Sequence, residues 1–494
     1  MRSADVVVIG AGFGGLGTAL RLAELGADVI LCETLRYPGG CASTFKRQGY
    51  EFEAGATLFS GLGEGQLFAE WNRKWNLGLR FDTLDPIVEL RVDRWSLSIP
   101  PDPHELERRM ASLPSVDAAP LGRFFHTQRE VADALWRLFD DPSLLPPLSA
   151  TTVLRHLRRT PSYAPVLRWI GRSLGDVVAH HELSDCEPLR IYLDAVSQIT
   201  VQANANQAEA PFAMAAADYF FRGTGHVHGG IGALASALVD AIRQAGGRVE
   251  LANRVQSLRR EDGAWVVRAR KGEIRCSAVA ANVLPQSLSQ MITPRIDDVL
   301  PEVRRNVEEG WGAAMLYLAV DASATDHQSA HHLQLVDDTE RPFAEGNHLF
   351  CSISSAEESG RAPPGQRTVT VSTHVPMKTL HGLSETDQGQ YIGEIQNRMR
   401  KTLGNRAPRL LEAARFQMTA SPRTFERFTG RYRGYVGGVP RRVGLQHYLP
   451  RALWPRQAQR GLYLVGDSVL LGQSTLAVAL GGVRTAERIA RRDT

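Results

Sequence analysis

The chain has 494 residues, too many for one hydrophobic core, so the sequence predicts two or more subdomains. Hydrophobic residues make up 43% of the chain and charged residues 22%, which is ordinary for a globular protein. The formal net charge of +4 gives no electrostatic argument for nucleic acid as a partner. The cysteines are scattered and form no C-x-x-C pair, which argues against a disulfide framework or a structural zinc and fits a reducing compartment.

The sequence carries no sign of a targeting or membrane-spanning segment. The amino terminus enters an apolar strand within a few residues, without the charged and apolar regions of a signal peptide. No run of about 18 apolar residues occurs, so no transmembrane helix is expected. We therefore expect a cytoplasmic location, with or without peripheral attachment to the inner face of the membrane.

Residues 4–33 have the pattern of a dinucleotide site. An apolar run at 4–9 predicts a buried parallel strand; a G-x-G-x-x-G turn, a helical pattern and a second apolar run follow, and the last ends on Glu33. The glycines permit a tight turn, a close approach of a pyrophosphate and close packing of the helix on the strand. The amino end of the helix attracts the phosphates. We expect Glu33 to accept hydrogen bonds from a ribose and to repel the 2′-phosphate of NADP.

The rest of the chain divides into blocks of different character. Helical patterns dominate 64–222, where no dinucleotide motif occurs, and we interpret this block as part of an inserted substrate domain. In the last block a buried strand delivers Asp467 to its carboxyl end, on the same sheet edge as Glu33. The predicted domains are a discontinuous FAD-binding domain (1–63, 223–300 and 431–494) and a substrate-binding domain (64–222 and 301–430).

Four motifs resemble those of the carotenoid (phytoene) desaturases, carotenoid isomerases and retinol saturases, in the order and spacing of that family. They are residues 10–15 with Glu33, residues 38–42 with 52–57, residues 228–232 with Val255, and residues 462–467 with Gly481 and Gly482. The resemblance implies an α/β fold, with a Rossmann-like FAD-binding domain of the glutathione-reductase type and an inserted, largely helical α+β substrate domain. It also implies FAD, bound without a covalent link, and a long apolar isoprenoid substrate.

The same resemblance implies the type of reaction and the residues that contact FAD. The reaction would be desaturation, cis–trans isomerisation or saturation of a polyene, by exchange of hydride or electrons at flavin N5; the first two are the leading expectations. Oxygen or a quinone would accept electrons in a net oxidation. By resemblance, the FAD contacts are Gly10, Gly12, Gly14, Gly15, Glu33, Gly40, Cys41, Ala56, Thr57, Val255, Gly466, Asp467, Thr475 and Leu476.

The sequence does not identify a catalytic acid or base. His226 and His228 flank the second glycine pair and are candidates for proton transfer, because imidazole titrates near neutrality. Polar loop residues near the cofactor are the simpler interpretation of both. Tyr435, in an aromatic stretch broken by glycines, is a third candidate. No carboxylate or cysteine stands at ligand spacing from the histidines, so no metal site is expected.

Residues 151–178 combine apolar side chains with arginines and one tryptophan. This pattern predicts a pair of basic amphipathic helices that suit the surface of an anionic membrane, where a polyene dissolved in lipid would enter. The alternative is that both helices pack their apolar faces on the core of the protein itself.

Three other functions remain open at this point. A flavin amine oxidase shares the expected fold, and a non-enzymatic prenyl-lipid carrier shares the architecture without using flavin. The third alternative is a nicotinamide enzyme, but only one dinucleotide fingerprint is visible, so NAD(P)H is not expected as a second bound cofactor. Glu33 and Asp467 speak against the carrier, because both residues suit a bound cofactor.

Overall fold

A computed structural model describes residues 1–55, 57–294, 300–326, 328, 330–358, 360–448, 455–469 and 472–491. The strands are β1 (Arg2–Ser3), β2 (Val6–Ile9), β3 (Val29–Cys32), β4 (Thr44–Arg47), β5 (Tyr50–Glu53), β6 (Phe81–Asp82), β7 (Val88–Arg91), β8 (Ser96–Ile99), β9 (His226–Val227), β10 (Arg248–Glu250), β11 (Val255–Glu261), β12 (Ala264–Ala269), β13 (Gly272–Cys276), β14 (Ala278–Ala281), β15 (Ile292–Thr293), β16 (Trp311–Asp321), β17 (His332–Val336), β18 (His348–Ile353), β19 (Gln366–Pro376), β20 (Ala414–Ala420), β21 (Arg456–Gln459) and β22 (Leu462–Leu464).

Helices connect and cover these strands. They are α1 (Phe13–Glu24), α2 (Leu67–Lys74), α3 (Pro103–Ala111), α4 (Ala118–Asp140), α5 (Ala150–Arg159), α6 (Ala164–Leu167), α7 (Leu174–His180), α8 (Glu187–Thr200), α9 (Ala210–Ala217), α10 (Ile231–Gln244), α11 (Pro285–Met291), α12 (Pro301–Glu308), α13 (Met377–His381), α14 (Glu385–Arg406), α15 (Pro408–Glu412), α16 (Pro422–Thr429) and α17 (Thr475–Ala490).

The α/β fold expected from the sequence is confirmed by a six-stranded sheet. Its order is β10-β3-β2-β14-β22-β21, and only β21 runs antiparallel to its neighbour. Every residue of β2, β3 and β14 is buried, because helices or a second sheet cover both faces. The direction of winding changes between β2 and β14, and ligands of such sheets bind outside the carboxyl ends of the strands at this point.

Helices α1 and α17 cross on one face of this sheet at very short range. A β-carbon on Gly17 would lie 2.6 Å from the carbonyl oxygen of Ala479, and one on Gly482 would lie 2.2 Å from that of Gly14. Only glycine therefore allows the two backbones to approach this closely. The crossing brings the amino ends of both helices to the carboxyl edge of the sheet.

The two segments assigned to a substrate domain share a seven-stranded sheet, with the order β20-β16-β19-β18-β17-β7-β8. Strands β7 and β8 come from the block at 64–222, and β7 pairs in parallel with β17. These two strands were not predicted from the sequence, because the alternation of buried and more exposed residues spans only four positions in each, within a block of mainly helical patterns. A five-stranded sheet, β1-β13-β12-β11-β15, lies beside the six-stranded one.

The basic segment at 151–178 differs from the predicted pair of helices. It consists of α5, a 3₁₀ turn at Thr160–Tyr163, the single turn α6, and α7. Trp169 does not face the surface as a membrane anchor would: it is 1% exposed, and the guanidinium groups of Arg168 and Arg172 lie over its ring. Three leucines of the segment are exposed instead, Leu154 at 48%, Leu157 at 64% and Leu167 at 61%.

No helix within the described part of the chain is long and apolar enough to cross a bilayer.

Candidate functional site

The glycine turn between β2 and α1 lies against Glu33, the residue that follows β3. The Glu33 carboxylate accepts hydrogen bonds from the backbone amides of Ala11, at 2.6 Å, and Leu35, at 2.7 Å. Burial raises the pKa of Glu33, and these backbone bonds oppose the rise. A carboxylate has about four acceptor sites, so Glu33 keeps acceptor capacity for a ligand hydroxyl.

Helix α1 begins directly behind the turn with an amino end open to an anion. Its capping residue is Gly12, which supplies no side-chain cap, and the first turn holds no acidic residue. The amide groups of this turn have no partner within the helix, and together with the helix dipole they favour a phosphate. A β-carbon on Gly15 would lie 1.9 Å from the carbonyl oxygen of Gly10, so the turn can only be built with glycine there.

Asn282 stands at the centre of the edge and was missed by the sequence reasoning. Its side-chain amide lies close to three glycines. If Gly12, Gly14 and Gly466 carried a β-carbon, that atom would lie 2.7, 2.9 and 2.7 Å, respectively, from the Asn282 side chain. Asn282 directly follows the buried strand β14, and its backbone amide donates to Ile9. The rule that ligands lie at carboxyl ends of strands would have identified it.

The Gly39–Gly40–Cys41 segment closes over the glycine turn. The amide of Gly39 donates to the carbonyl of Ala11 at 2.8 Å, and a β-carbon on Gly40 would lie 3.6 Å from the α-carbon of Gly12. Cys41 is partly buried, and burial raises the pKa of its thiol, so the neutral thiol is its resting form.

Asp467, predicted from the last strand, forms an ion pair with Arg431. The atoms Oδ2 of Asp467 and Nη2 of Arg431 are 2.9 Å apart. The same guanidinium interacts with the Cys41 thiol and lowers its pKa against the larger effect of burial. Arg431 lies in a loop after α16 that no periodic pattern marks, and the sequence reasoning missed it.

Helix α17 supplies the second helix terminus at this edge. Ser474 caps it by accepting from the amide of Ala477 at 3.0 Å, which leaves the amides of Thr475 and Leu476 without a partner inside the helix. Both of these side chains are buried. A β-carbon on Gly61 would lie 3.1 Å from Cδ1 of Leu476, so the segment after β5 reaches the same helix end.

Val255 and Thr57 are placed by contacts with different parts of the fold. Val255 opens β11 two residues after Asn253, whose backbone amide donates to the carbonyl of Glu33 at 2.7 Å. Thr57 is buried and hydrogen-bonds to Ser352 of β18, which in turn bonds to Nδ1 of His332 at 2.7 Å. Ala56, a further predicted contact, lies outside the described residues.

The candidate catalytic residues are held by partners from distant parts of the chain. Nε2 of His226 lies 3.1 Å from the carboxylate of Glu358, and His228 pairs with Asp82. Sequence spacing could not show these carboxylates, which are remote from the histidines in the chain.

The third candidate, Tyr435, lies apart from the two histidines. It is buried beneath α12 and α13, where its hydroxyl donates to the carbonyl of Glu308 at 3.4 Å. In the described part of the chain, no three His, Cys, Asp or Glu side chains are grouped so that they could hold a metal ion.

The edge as a whole suits the expected FAD. The glycines at positions 12, 14 and 466 leave space beside Asn282 that a β-carbon would fill, and the first turn of α1 offers unpaired amides. Nη2 of Arg431 is buried and has no hydrogen-bond partner among the described residues. These groups match a molecule with a ribose, a diphosphate and a flat ring.

Comparisons with known proteins agree with a flavin-containing oxidoreductase. The family described as flavin containing amine oxidoreductase matches residues 13–491. The prolycopene isomerase of Daucus carota is 25% identical over 517 residues, covering 99% of this chain and 80% of the relative. The all-trans-retinol 13,14-reductase of Danio rerio is 23% identical over 536 residues, covering 97% and 85%. The structure of cyclohexylamine oxidase from Brevibacterium oxydans is similar in fold, with a TM-score of 0.62 at 14% identity, covering 99% of this chain and 98% of that one.

Proposed function

The chain belongs to the family of flavin-containing amine oxidoreductases and is an FAD-dependent oxidoreductase, and from this premise we propose that its substrate is a long, apolar isoprenoid polyene. The proposed reaction is a change in the double bonds of that polyene: cis–trans isomerisation, desaturation or saturation. FAD, when bound, supplies reversible uptake of electrons from a carbon chain.

The observation that carries this proposal is the extent of the similarity to proteins named for conjugated isoprenoids. The likeness to the carrot prolycopene isomerase covers 99% of the chain, so it includes the inserted segments that are expected to select the substrate. The likeness to the zebrafish retinol reductase covers 97%. Isomerisation and saturation therefore each have a named relative in their support, and desaturation rests on the motifs alone.

The chain's own residues would hold the cofactor along the edge described above. Glu33 would accept from the ribose, the first turn of α1 would face the diphosphate, and the unpaired amides at the start of α17 would stabilise negative charge on the ring. We assign the three nucleotide segments to one domain because strands from all three form the six-stranded sheet. A polyene needs a dry slot against the ring more than a strong acid or base.

An amine substrate has weaker support. The likeness to cyclohexylamine oxidase is at 14% identity and concerns the fold alone.

An electron acceptor is needed only where the reaction is a net oxidation, and oxygen or a quinone would then serve. An isomerisation leaves the polyene at the same oxidation level and needs no net acceptor.

The peripheral membrane contact is retained as part of this proposal, in an altered form. Helix α5 exposes Val153, Leu154 and Leu157 beside Arg155 and Arg158, so apolar and basic groups share one surface. Such a surface favours an anionic membrane, from which a lipid-soluble polyene would be taken. Leu157 and Leu167 replace Trp169 as the expected anchors.

The test is expression of the full chain in a host that accumulates defined polyene precursors, with separation of the products. We expect one polyene pool to shift in geometry or saturation. The negative control is the Glu33→Arg variant. It places a cation against the ribose, so it should lose the bound flavin and with it the shift in the polyene pool. An unchanged set of polyenes in the presence of yellow holoprotein would contradict the proposed substrate.

A further inference from the structure

Arg431 is partly buried, and its terminal nitrogen Nη2 lacks a full set of hydrogen-bond partners among the described residues. Nε donates to the carbonyl of Tyr435, which fixes the guanidinium plane. Nη2 lies 2.9 Å from Oδ2 of Asp467, yet it is buried and has no hydrogen-bond partner among the described residues. The ion pair with Asp467 therefore leaves at least one hydrogen of Nη2 without an acceptor among the described residues. A buried cationic N–H group without a partner is costly unless a further acceptor completes it.

The neighbours of Arg431 place it next to the phosphate end of the cofactor site. Its guanidinium interacts with the thiol of Cys41. Cys41 follows Gly40, which lies in contact with Gly12 in the glycine turn. On its other side, Asp467 follows Gly466, which contacts Asn282, and Asn282 contacts Gly12 again. The Arg431 guanidinium therefore lies at the same edge of the sheet as the glycine turn in front of α1.

The negative charges expected at this edge of the sheet need a cation to balance them, and the glycine turn provides none. The turn at 10–15 contains no lysine or arginine, and the first turn of α1 contains none either. The diphosphate of FAD is anionic, and the carboxylate of Asp467 stands at the same edge. Two negative charges at close range in a partly buried site repel each other strongly. Asp467 without a counter-ion would therefore oppose the cofactor.

We propose that Arg431 is the cation that binds the diphosphate of FAD, with Asp467 holding the guanidinium in place. The planar guanidinium has five donors, so one hydrogen of Nη2 can face Asp467 while its second hydrogen serves a phosphate oxygen. Cys41 fits this arrangement as a small neutral neighbour that leaves room for the guanidinium. Arg431 thus completes an anion site whose other donors are backbone amides. The proposal depends on the flavin cofactor and is independent of which substrate reacts.

The experiment measures binding of ADP and adenosine to the full-length protein freed of flavin, by calorimetry. The two probes differ in the diphosphate alone. The variants are Arg431→Met, which removes the charge at similar length, and Arg431→Lys, which keeps it. Arg415→Met is the matched control, since Arg415 also pairs with an aspartate, Asp321, but on an exposed edge of the seven-stranded sheet.

We expect Arg431→Met to weaken ADP binding about 10- to 100-fold, the range for loss of one charge-assisted hydrogen bond, with adenosine binding unchanged. Arg431→Lys should recover part of the loss, and the salt dependence of ADP binding should flatten in Arg431→Met. Unchanged ADP binding, or equal loss for ADP and adenosine, would overturn the proposal. A shift in the flavin reduction potential with ADP binding intact would place Arg431 at the ring and also overturn it. If the wild type binds FAD and ADP normally but converts no polyene, only the proposed substrate fails.

Discussion

The carboxylate of Glu33 accepts a hydrogen bond of 2.6 Å from the backbone amide of Ala11, in the centre of the glycine turn. This bond ties the end of β3 to the connection between β2 and α1. We therefore give Glu33 two tasks: its carboxylate fixes the shape of the turn, and we propose that its remaining acceptor sites serve a ribose. A change at Glu33 should affect both the stability of the protein without flavin and its affinity for FAD.

Glu33→Gln tests this double task. The amide NH₂ group of glutamine would face either the Ala11 or the Leu35 amide, so one donor would meet another donor. We expect a loss of about 1–3 kcal/mol in unfolding free energy without flavin, and a weaker affinity for FAD. Urea unfolding and flavin fluorescence titration measure the two effects. Glu412→Gln, at an exposed position, is the control, and equal behaviour of the two variants would refute the role given to Glu33.

Two glycines of the same turn should respond differently to alanine. In Gly15→Ala the new β-carbon would lie 1.9 Å from a backbone oxygen, so the turn itself must move. In Gly12→Ala it would lie 2.7 Å from the side-chain amide of Asn282, which can rotate away, and the backbone φ of −70° is ordinary for alanine. We expect Gly15→Ala to lower the thermal midpoint strongly and Gly12→Ala to lower mainly FAD affinity. The opposite order in thermal scans of the flavin-free variants would show that the turn is built differently.

The buried imidazole of His348 should make the protein less stable in mild acid. His348 is 2% exposed on β18, and burial, together with the nearby His374, lowers its pKa from 6.5 to about 3. The folded state binds this proton less readily than the unfolded state, so stability falls as pH drops from about 6.5 towards 3. Between about pH 6.5 and 5 the loss is about 2 kcal/mol.

His348→Gln should therefore flatten the acid side of the stability curve, even if it lowers stability near neutrality. The measurement is the difference in unfolding free energy between about pH 7.5 and 5, in the variant and in the wild type. His104→Gln, at an exposed histidine, should leave that difference unchanged. If His348→Gln keeps the full acid loss, the buried neutral imidazole is not its source.

The exposed leucines of the basic segment give a test of membrane contact. Leu157 and Leu167 are 64% and 61% exposed next to arginines. A double change of both to glutamate would place negative charge where anionic lipid is expected, so binding to vesicles with anionic lipid should fall while FAD content stays the same. Co-sedimentation with anionic and with neutral vesicles measures this. Leu25→Glu, at another exposed leucine, is the control; equal sedimentation of all variants would remove the membrane contact from the account.

The features predicted correctly from the sequence are those encoded within one short segment, whereas contacts between distant segments were not predicted. The strand, turn and helix around Gly12 follow from residues within one short segment, and Asp467 follows from a buried strand. Arg431 reaches Asp467, and Glu358 reaches His226, only through the assembled fold, and neither has a periodic or motif signal. The strand pairing of β7 with β17 likewise joins residues more than 200 positions apart.

The burial of Trp169 also shows a limit of sequence-based prediction: composition does not reveal which side chains face the core. A tryptophan among arginines has the composition of a membrane anchor, but two of those arginines lie over its ring and the ring lies in the core. Composition along one helix does not show which face meets the rest of the protein. The leucines that are exposed could be recognised only from the structure.

The most direct test of the central claim is to incubate purified, yellow holoprotein without oxygen with prolycopene, all-trans-retinol and cyclohexylamine in separate reactions, and to separate the products. With the flavin reduced beforehand, we predict a change in double-bond geometry or saturation in a polyene. With the flavin oxidised and oxygen admitted, we predict no conversion of the amine. Loss of the product in Glu33→Arg, which should lack flavin, would link the change to the site described here. Turnover of the amine with release of peroxide once oxygen is admitted, and no change in either polyene, would contradict the account.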